Sequence, residues 1–182
     1  TNNVYESFTG FENLVSGIGN DTLTGTIDAN YIISGDGNDR VSGLAGNDEL
    51  LSLRPTFEKW AAEYDVPLVL LEADLWQESA WNNDAVSSDG AVGIGQLLPS
   101  TTQYINETLL DGDDLDPTDP SDNIQLSAAY FQYLLEGSDG SWAEALASYF
   151  AGPTTAQSDA AWDQATVAYV TKGMGYVADF QD

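Results

Sequence analysis

Three things are scarce in this sequence of 182 residues: cysteine, basic residues and long apolar runs. The absence of cysteine excludes disulfides and thiolate metal sites. Only four Lys and Arg stand against 30 Asp and Glu, and the resulting net charge of -26 argues against a nucleic-acid partner. No apolar run reaches the roughly eighteen residues that a membrane-spanning helix needs, so we expect no membrane span.

What is present favours a folded protein. Hydrophobic residues make up 42% of the chain, and five Trp and nine Tyr can supply a core. The length allows one helical domain with a small appendage. The acidic charge is tolerable where bound cations or concentrated salt neutralise it, which fits calcium binding and a saline habitat. The alternative is an acidic surface that only keeps a secreted protein soluble.

The first fifty residues contain a repeat with a period of nine. Four units in register begin at Ser16, Gly25, Ser34 and Gly43, and a weaker unit covers residues 7–15. The sixth position of the four units is occupied by Asp21, Asn30, Asp39 and Asp48. The eighth position is aliphatic in all of them: Leu23, Ile32, Val41 and Leu50. The pattern resembles the glycine- and aspartate-rich nonapeptide repeats of secreted calcium-binding proteins, which coil into a parallel β-roll.

The residue types of the repeat suit Ca²⁺. Glycines allow tight turns that expose carbonyl oxygens, Asp adds carboxylate oxygens, and Ca²⁺ takes six to eight oxygen ligands. Successive units of a roll alternate between two edges, so Asp21 and Asp39 form the better predicted site. The other edge has Asp48 with Asn30, where Asp28 can compensate. The alternative is a loop of Asn-Asp and Gly-Asp turns without an ion.

A domain boundary is predicted where the period of nine stops, near residues 52–55. We expect a calcium-binding β-roll over residues 1–52 and a helical domain over residues 53–182. Pro55 suits a helix start. Because the chain begins at Thr1 without a Met, a processed protein or a piece of a longer one is expected.

The helical part centres on Glu78. A mostly apolar helix is predicted over residues 66–77, with Pro67 in its first turn, so Glu78 falls near the helix C-terminus. The partial negative charge of the helix end and the nearby Leu75, Trp76 and Trp81 should raise the pKa of this carboxyl. A raised pKa suits a general acid.

Four motifs in order resemble the soluble lytic transglycosylases and the related goose-type lysozymes. These families share a Glu-Ser pair closing a helix, then S-x-x-G-A-x-G-[LI]-M-Q-[LV]-x-P, A-Y-N-A-G-P and a late Tyr-Val-x-Lys. This chain offers the corresponding segments at residues 78–79, 87–99, 148–153 and 169–172. The resemblance covers residues 57 to 176, roughly two thirds of the chain. It departs at Gly95, where the family usually has Met, and at Phe150, where it usually has Asn.

The resemblance implies an α+β multidomain protein in which the small β-roll precedes a mainly α lysozyme-like domain. It also implies an enzyme that cleaves the β-1,4 bond between N-acetylmuramic acid and N-acetylglucosamine in the glycan strands of peptidoglycan. Glu78 matches the family's acid. Gln96, Tyr149, Tyr169 and Ser87 match the positions that contact the sugar, and no cofactor serves catalysis.

The product is predicted from the carboxylates. Inverting hydrolysis needs a second carboxylate to activate water, but no acid follows Gln96 before Glu107, and Asp89 lies on a predicted loop. A 1,6-anhydromuramic product is therefore expected. Two alternatives stay open: a hydrolytic lysozyme, and a glycan-binding module of a larger secreted or virion-attached protein. A secreted or cell-surface location is expected.

Overall fold

A computed structural model describes residues 7–11, 13–15, 22–25, 31–33, 40–42, 49–51, 53–156 and 161–181. The described N-terminal residues form six short strands. They are β1 Ser7–Phe11, β2 Asn13–Val15, β3 Thr22–Gly25, β4 Tyr31–Ile33, β5 Arg40–Ser42 and β6 Glu49–Leu51.

Successive strands alternate between two parallel sheets, ordered β1-β3-β5 and β2-β4-β6. Leu23 pairs with Val41, and Ile32 pairs with Leu50, so each strand lies beside the strand two units along the chain. Leu23 and Ile32 are fully buried. The predicted calcium ligands lie outside the described residues: Asp21, Asp28, Asn30, Asp39 and Asp48.

The rest of the described chain is mainly helical. Its α-helices are α1 Arg54–Glu63, α2 Leu68–Ser79, α3 Pro99–Tyr104, α4 Pro120–Gly137, α5 Trp142–Ala151, α6 Pro153–Ala156 and α7 Gln164–Gln181. A π-helical turn, Ile105–Leu109, continues α3. None of the helices in the described ranges is both long enough and apolar enough to cross a membrane.

Prolines lie at the starts of α2 and α3. Pro67 precedes α2 instead of lying in its first turn, and the helix begins at Leu68. Helix α3 begins at Pro99, with Leu98 at the N-cap. Pro99 explains this start, because its fixed φ suits the first helical position and its missing N–H leaves no donor there.

Helix α2 lies at the centre of the helical core. It packs against α1 and α7, and α5 packs against α4, α6 and α7. The six consecutive residues 70–75 of α2 are buried, so this part of the helix is covered on all of its faces. Two of them are acids: Glu72 accepts from Arg54 Nη1 at 3.0 Å, and Asp74 faces α7.

The chain leaves α2 through two left-handed residues. Ala80 has φ 53° and Trp81 has φ 58°, an uncommon conformation outside glycine that ends the helix. The turn buries the Trp81 ring, whose Nε1 donates to the Glu72 carbonyl at 3.1 Å. Glu78 therefore lies in the last turn of a helix whose end is fixed to the core.

Candidate active site

Glu78 is the second-last residue of α2, and its side chain is half-buried. The Tyr169 hydroxyl, on α7, hydrogen-bonds Glu78 Oε1. Burial raises the pKa of the Glu78 carboxyl above its ordinary value, while the Tyr169 hydrogen bond and the Lys172 charge lower it. The direction is the one expected from the sequence, and desolvation is its main cause. A carboxyl of this kind keeps its proton to higher pH, as a general acid requires.

Asp74 is a second carboxyl at this site, which the sequence analysis missed. It lies one helical turn before Glu78 on α2, is fully buried, and its Oδ1 is 2.7 Å from the Tyr169 hydroxyl oxygen. Burial, followed by the charge of Glu78, raises its pKa well above the ordinary value. The available signal was the i, i+4 spacing of two acids on a helix that is otherwise largely apolar.

Tyr169 is itself fixed from two sides. Its main-chain carbonyl accepts from Gln77 Nε2 at 3.2 Å, which joins α7 to α2. The exposed Phe150 ring stacks on the Tyr169 ring, with centroids 4.6 Å apart. Phe150 therefore places an open aromatic face next to the tyrosine that contacts Glu78. Aromatic faces of this kind can pack against the apolar face of a sugar.

Tyr149 anchors the glycine-rich loop, residues 87–99. Its hydroxyl donates to the Gly95 carbonyl at 2.8 Å. Burial, then the charges of Asp74 and Glu78, raise the pKa of this hydroxyl well above its ordinary value. Tyr149 thus lies within electrostatic range of both acids, but its hydrogen bond is used to hold the loop.

Asn123, at the start of α4, is a second anchor that the sequence analysis did not single out. Its side chain is fully buried. Its Oδ1 accepts from Gly95 N at 2.7 Å, and its Nδ2 donates to the carbonyls of Val92 at 3.2 Å and Pro117 at 2.8 Å. The Asn123 side-chain amide therefore connects the glycine-rich loop with α4 and with the acidic loop before it, residues 111–119.

Gln96 and Ser87 make loop contacts in this structure. Gln96 has φ 46°, and its Nε2 donates to the carbonyls of Ala85 and Gly93, both at 3.0 Å. Ser87 Oγ accepts from Ala91 N at 3.0 Å. Of the sugar-contacting residues expected from the sequence, Tyr169 touches Glu78 directly, Tyr149 lies near it, and Gln96 and Ser87 shape the loop.

The chain is similar to known proteins in both of its parts. Residues 55–169 match the family described as the Transglycosylase SLT domain, and residues 15–50 match the RTX calcium-binding nonapeptide repeat, in four copies.

The chain matches only part of the length of each curated relative described here. A membrane-bound lytic murein transglycosylase F from Pectobacterium atrosepticum is 35% identical over 99 residues, which are 54% of this chain and 19% of the relative. The soluble lytic murein transglycosylase of Escherichia coli K12 is 28% identical over 106 residues, 57% of this chain and 16% of the relative. The chain thus spans about a fifth of these proteins.

Solved structures match the helical part. Lytic transglycosylase Slt of Pseudomonas aeruginosa, in an inactive mutant, aligns with a TM-score of 0.63 at 26% identity over 70% of this chain and 23% of that chain. The 70 kDa soluble lytic transglycosylase of Escherichia coli gives 0.65 at 25% identity, over 72% and 24%. Because the Transglycosylase SLT domain match covers more than half of the chain and the fold agrees with it, this chain belongs to the transglycosylase SLT domain family.

Proposed function

We propose that this chain is a lytic transglycosylase that cleaves the β-1,4 bond between N-acetylmuramic acid and N-acetylglucosamine in peptidoglycan. The observation that carries the proposal is the half-buried Glu78 at the end of α2, with a raised pKa and the Tyr169 hydroxyl against it, inside a Transglycosylase SLT domain. The curated relatives are named as murein transglycosylases, which supports the same substrate class.

The proposed reaction uses Glu78 twice. Its proton passes to the glycosidic oxygen as the bond to the muramic acid C1 breaks, and the 2-acetamido carbonyl oxygen of the substrate bonds to C1 in place of a second carboxylate. The Glu78 carboxylate then takes the proton of the muramic acid 6-hydroxyl, whose oxygen attacks C1 and expels the acetamide oxygen. The product is a 1,6-anhydro ring, and Glu78 has regained its proton.

The position of Asp74 supports this route over hydrolysis. An inverting mechanism needs a carboxylate on the opposite face of the sugar, with room for a water between it and the acid. Asp74 is fully buried beneath Tyr169, so its carboxyl cannot hold a water against the substrate. Asp74 therefore does not supply the base that inverting hydrolysis needs, and a 1,6-anhydro product stays the expected one.

We predict that digestion of purified peptidoglycan yields fragments with 1,6-anhydromuramic ends. Mass spectrometry of the soluble products measures this directly, because hydrolysis adds one water that transglycosylation does not. Fragments heavier by one water would show that the enzyme is a lysozyme. A wild-type protein that binds glycan strands but releases no soluble fragment over hours would instead favour the binding-module alternative.

We infer further that the N-terminal repeats bind structural Ca²⁺, remote from catalysis. The nonapeptide-repeat match and the alternation of β1 to β6 between two parallel sheets support a β-roll whose turns carry the ligands. Asp21 and Asp39 are the proposed ligands at one edge, and Asp48 with Asn30 and Asp28 at the other. Their carboxylates and the turn carbonyls form a hard oxygen donor set, which suits Ca²⁺. The presence of such repeats also supports action outside the cell.

Chelation of calcium is predicted to unfold the chain up to about residue 51 while the helical domain persists. Without ions the carboxylates of adjacent turns repel, and about fifty glycine-rich residues bury too little apolar surface to fold alone. Circular dichroism with and without a chelator should show loss of strand signal with helical signal kept. Calorimetry that detects no binding at millimolar Ca²⁺ would contradict the inference.

A further inference from the structure

We propose that Asp74 shares a proton with Glu78 through the Tyr169 hydroxyl, so that the acid of this domain is a coupled pair of carboxyls. Asp74 is then a positioning residue: it acts on the substrate only through Glu78. The consequence of this proton sharing for catalysis rests on the proposed function, whereas the sharing itself does not.

The geometry requires the sharing. The single Tyr169 hydroxyl is within hydrogen-bond distance of both Asp74 Oδ1, at 2.7 Å, and Glu78 Oε1. A phenol has one proton, so it can donate to only one of these oxygens and must accept from the other. Two hydrogen bonds at one hydroxyl therefore need a proton on one of the two carboxyls. With both carboxyls ionised, one of the two contacts would be a repulsion between lone pairs.

The surroundings favour Asp74 as the resting holder of this proton. Among the described residues Asp74 Oδ2 has no hydrogen-bond partner, so a negative charge on this carboxyl would be stabilised only through Oδ1. The groups that face it are Glu78 on its own helix, Tyr169 on α7 and Tyr149 on α5, and none of them is cationic. The nearby cation, Lys172, acts on Glu78 instead. Burial accordingly raises the pKa of Asp74 well above its ordinary value.

Transfer between the two carboxyls conserves charge. The proton of Asp74 moves to the Tyr169 oxygen while the phenol proton moves to Glu78 Oε1, and the negative charge passes from Glu78 to Asp74. Tyr169 is neutral before and after, which agrees with its strongly raised pKa. One form has a protonated Glu78 able to donate to the glycosidic oxygen, and the other has an ionised Glu78 able to accept from the 6-hydroxyl.

The competing explanation is that Asp74 is a buried acid that stays neutral at every working pH and only fills space. In a coupled pair, by contrast, the signals of both carboxyls shift together in the same two titration steps. The full chain, labelled with ¹³C at the side-chain carboxyls of Asp and Glu, distinguishes the two by NMR titration. The spectra of Asp74→Asn and Glu78→Gln identify the two signals by their disappearance.

We expect both signals of the wild-type chain to move in two shared steps. In Asp74→Asn, whose amide keeps the size and a hydrogen-bonding atom, Glu78 should titrate in one step and lose its last proton at lower pH. Tyr169→Phe keeps both carboxyls and removes the bridging hydroxyl, so the two shared steps should lie closer together there, with only the direct charge interaction left to couple Asp74 and Glu78. A Glu78 curve that is unchanged in Asp74→Asn, or two steps in Tyr169→Phe that are separated as widely as in the wild type, would overturn the proposal.

The pH dependence of kcat tests the consequence of proton sharing for catalysis. Activity requires a protonated Glu78, so the alkaline limb of kcat in Asp74→Asn should move to lower pH by about one unit. KM should not change, because the buried Asp74 does not touch the glycan. Glu136→Gln, at an exposed position on α4, is the control for loss of one charge. An equal loss of kcat at every pH, with the alkaline limb unmoved, would indicate a structural role only.

Failure of wild-type protein to cleave peptidoglycan would contradict the proposed function, but the NMR result would still decide the proton sharing.

Discussion

Glu78→Gln is expected to abolish the clearing of cell-wall suspensions. The amide cannot donate a proton to the glycosidic oxygen or accept one from the 6-hydroxyl, so both proposed steps fail. General acid-base catalysis typically contributes on the order of 10²–10⁴-fold, and a single group that serves both steps should cost at least that much. Turbidity clearing and release of soluble fragments measure the loss.

The variant should fold normally. Gln has the size of Glu and stays neutral, and a carboxyl whose pKa burial has raised gains little from its charge. The melting temperature should therefore match or exceed that of the wild type at neutral pH. Glu107→Gln is the control, because Glu107 is exposed and hydrogen-bonds only Gln103 among the contacts described for it. Undiminished clearing by Glu78→Gln would end the assignment of Glu78 as the acid.

Local sequence features were enough to place Glu78. Its position near the end of a helix follows from an apolar run that closes at Ser79, and the raised pKa follows from apolar neighbours. The strands of the repeat were likewise predictable, because a period of nine fixes which residues pair: Leu23 with Val41, and Ile32 with Leu50. Periodic and short-range signals of this kind need no knowledge of tertiary packing.

The long-range contacts around Glu78 cannot be derived from local sequence patterns, and Tyr169 was named only through the family resemblance. Tyr169 lies 95 residues from Asp74, and only the packing of α7 on α2 brings the two together. Asn123 lies 28 residues from Gly95, and its role depends on three polar groups that converge on one buried amide. Gln96 stays a predicted sugar contact, and its left-handed backbone directs its amide nitrogen to loop carbonyls, which the sequence did not indicate.

Gly95 shows why one departure from the family pattern exists. The family pattern usually has Met at the position of Gly95. In the structure a Cβ at Gly95 would lie 2.1 Å from Ser127 Oγ and 2.9 Å from the Tyr149 hydroxyl. Ser127 is fully buried on α4, and its Oγ donates to the Asn123 carbonyl at 2.9 Å, so it has little freedom to move. The glycine is required by the residues packed against it.

Gly95→Ala is therefore expected to lower the free energy of unfolding by about 1–3 kcal/mol, the usual cost of overpacking a core. Its control is Gly175→Ala in α7, where an added Cβ meets nothing within 4 Å and should be neutral or stabilising. Urea unfolding of both variants measures the difference.

The clash with Ser127 can be isolated by a double-mutant cycle. Ser127→Ala removes the Oγ nearest to the added Cβ, so Gly95→Ala should cost less in that background, with a coupling of about 0.5–3 kcal/mol. The rescue should be partial, because the Tyr149 hydroxyl also lies within 3.0 Å of the new atom and belongs to a ring stacked on Phe131. If Gly95→Ala is as stable as the wild type, or if its cost is the same with and without Ser127, the packing explanation for this glycine is wrong.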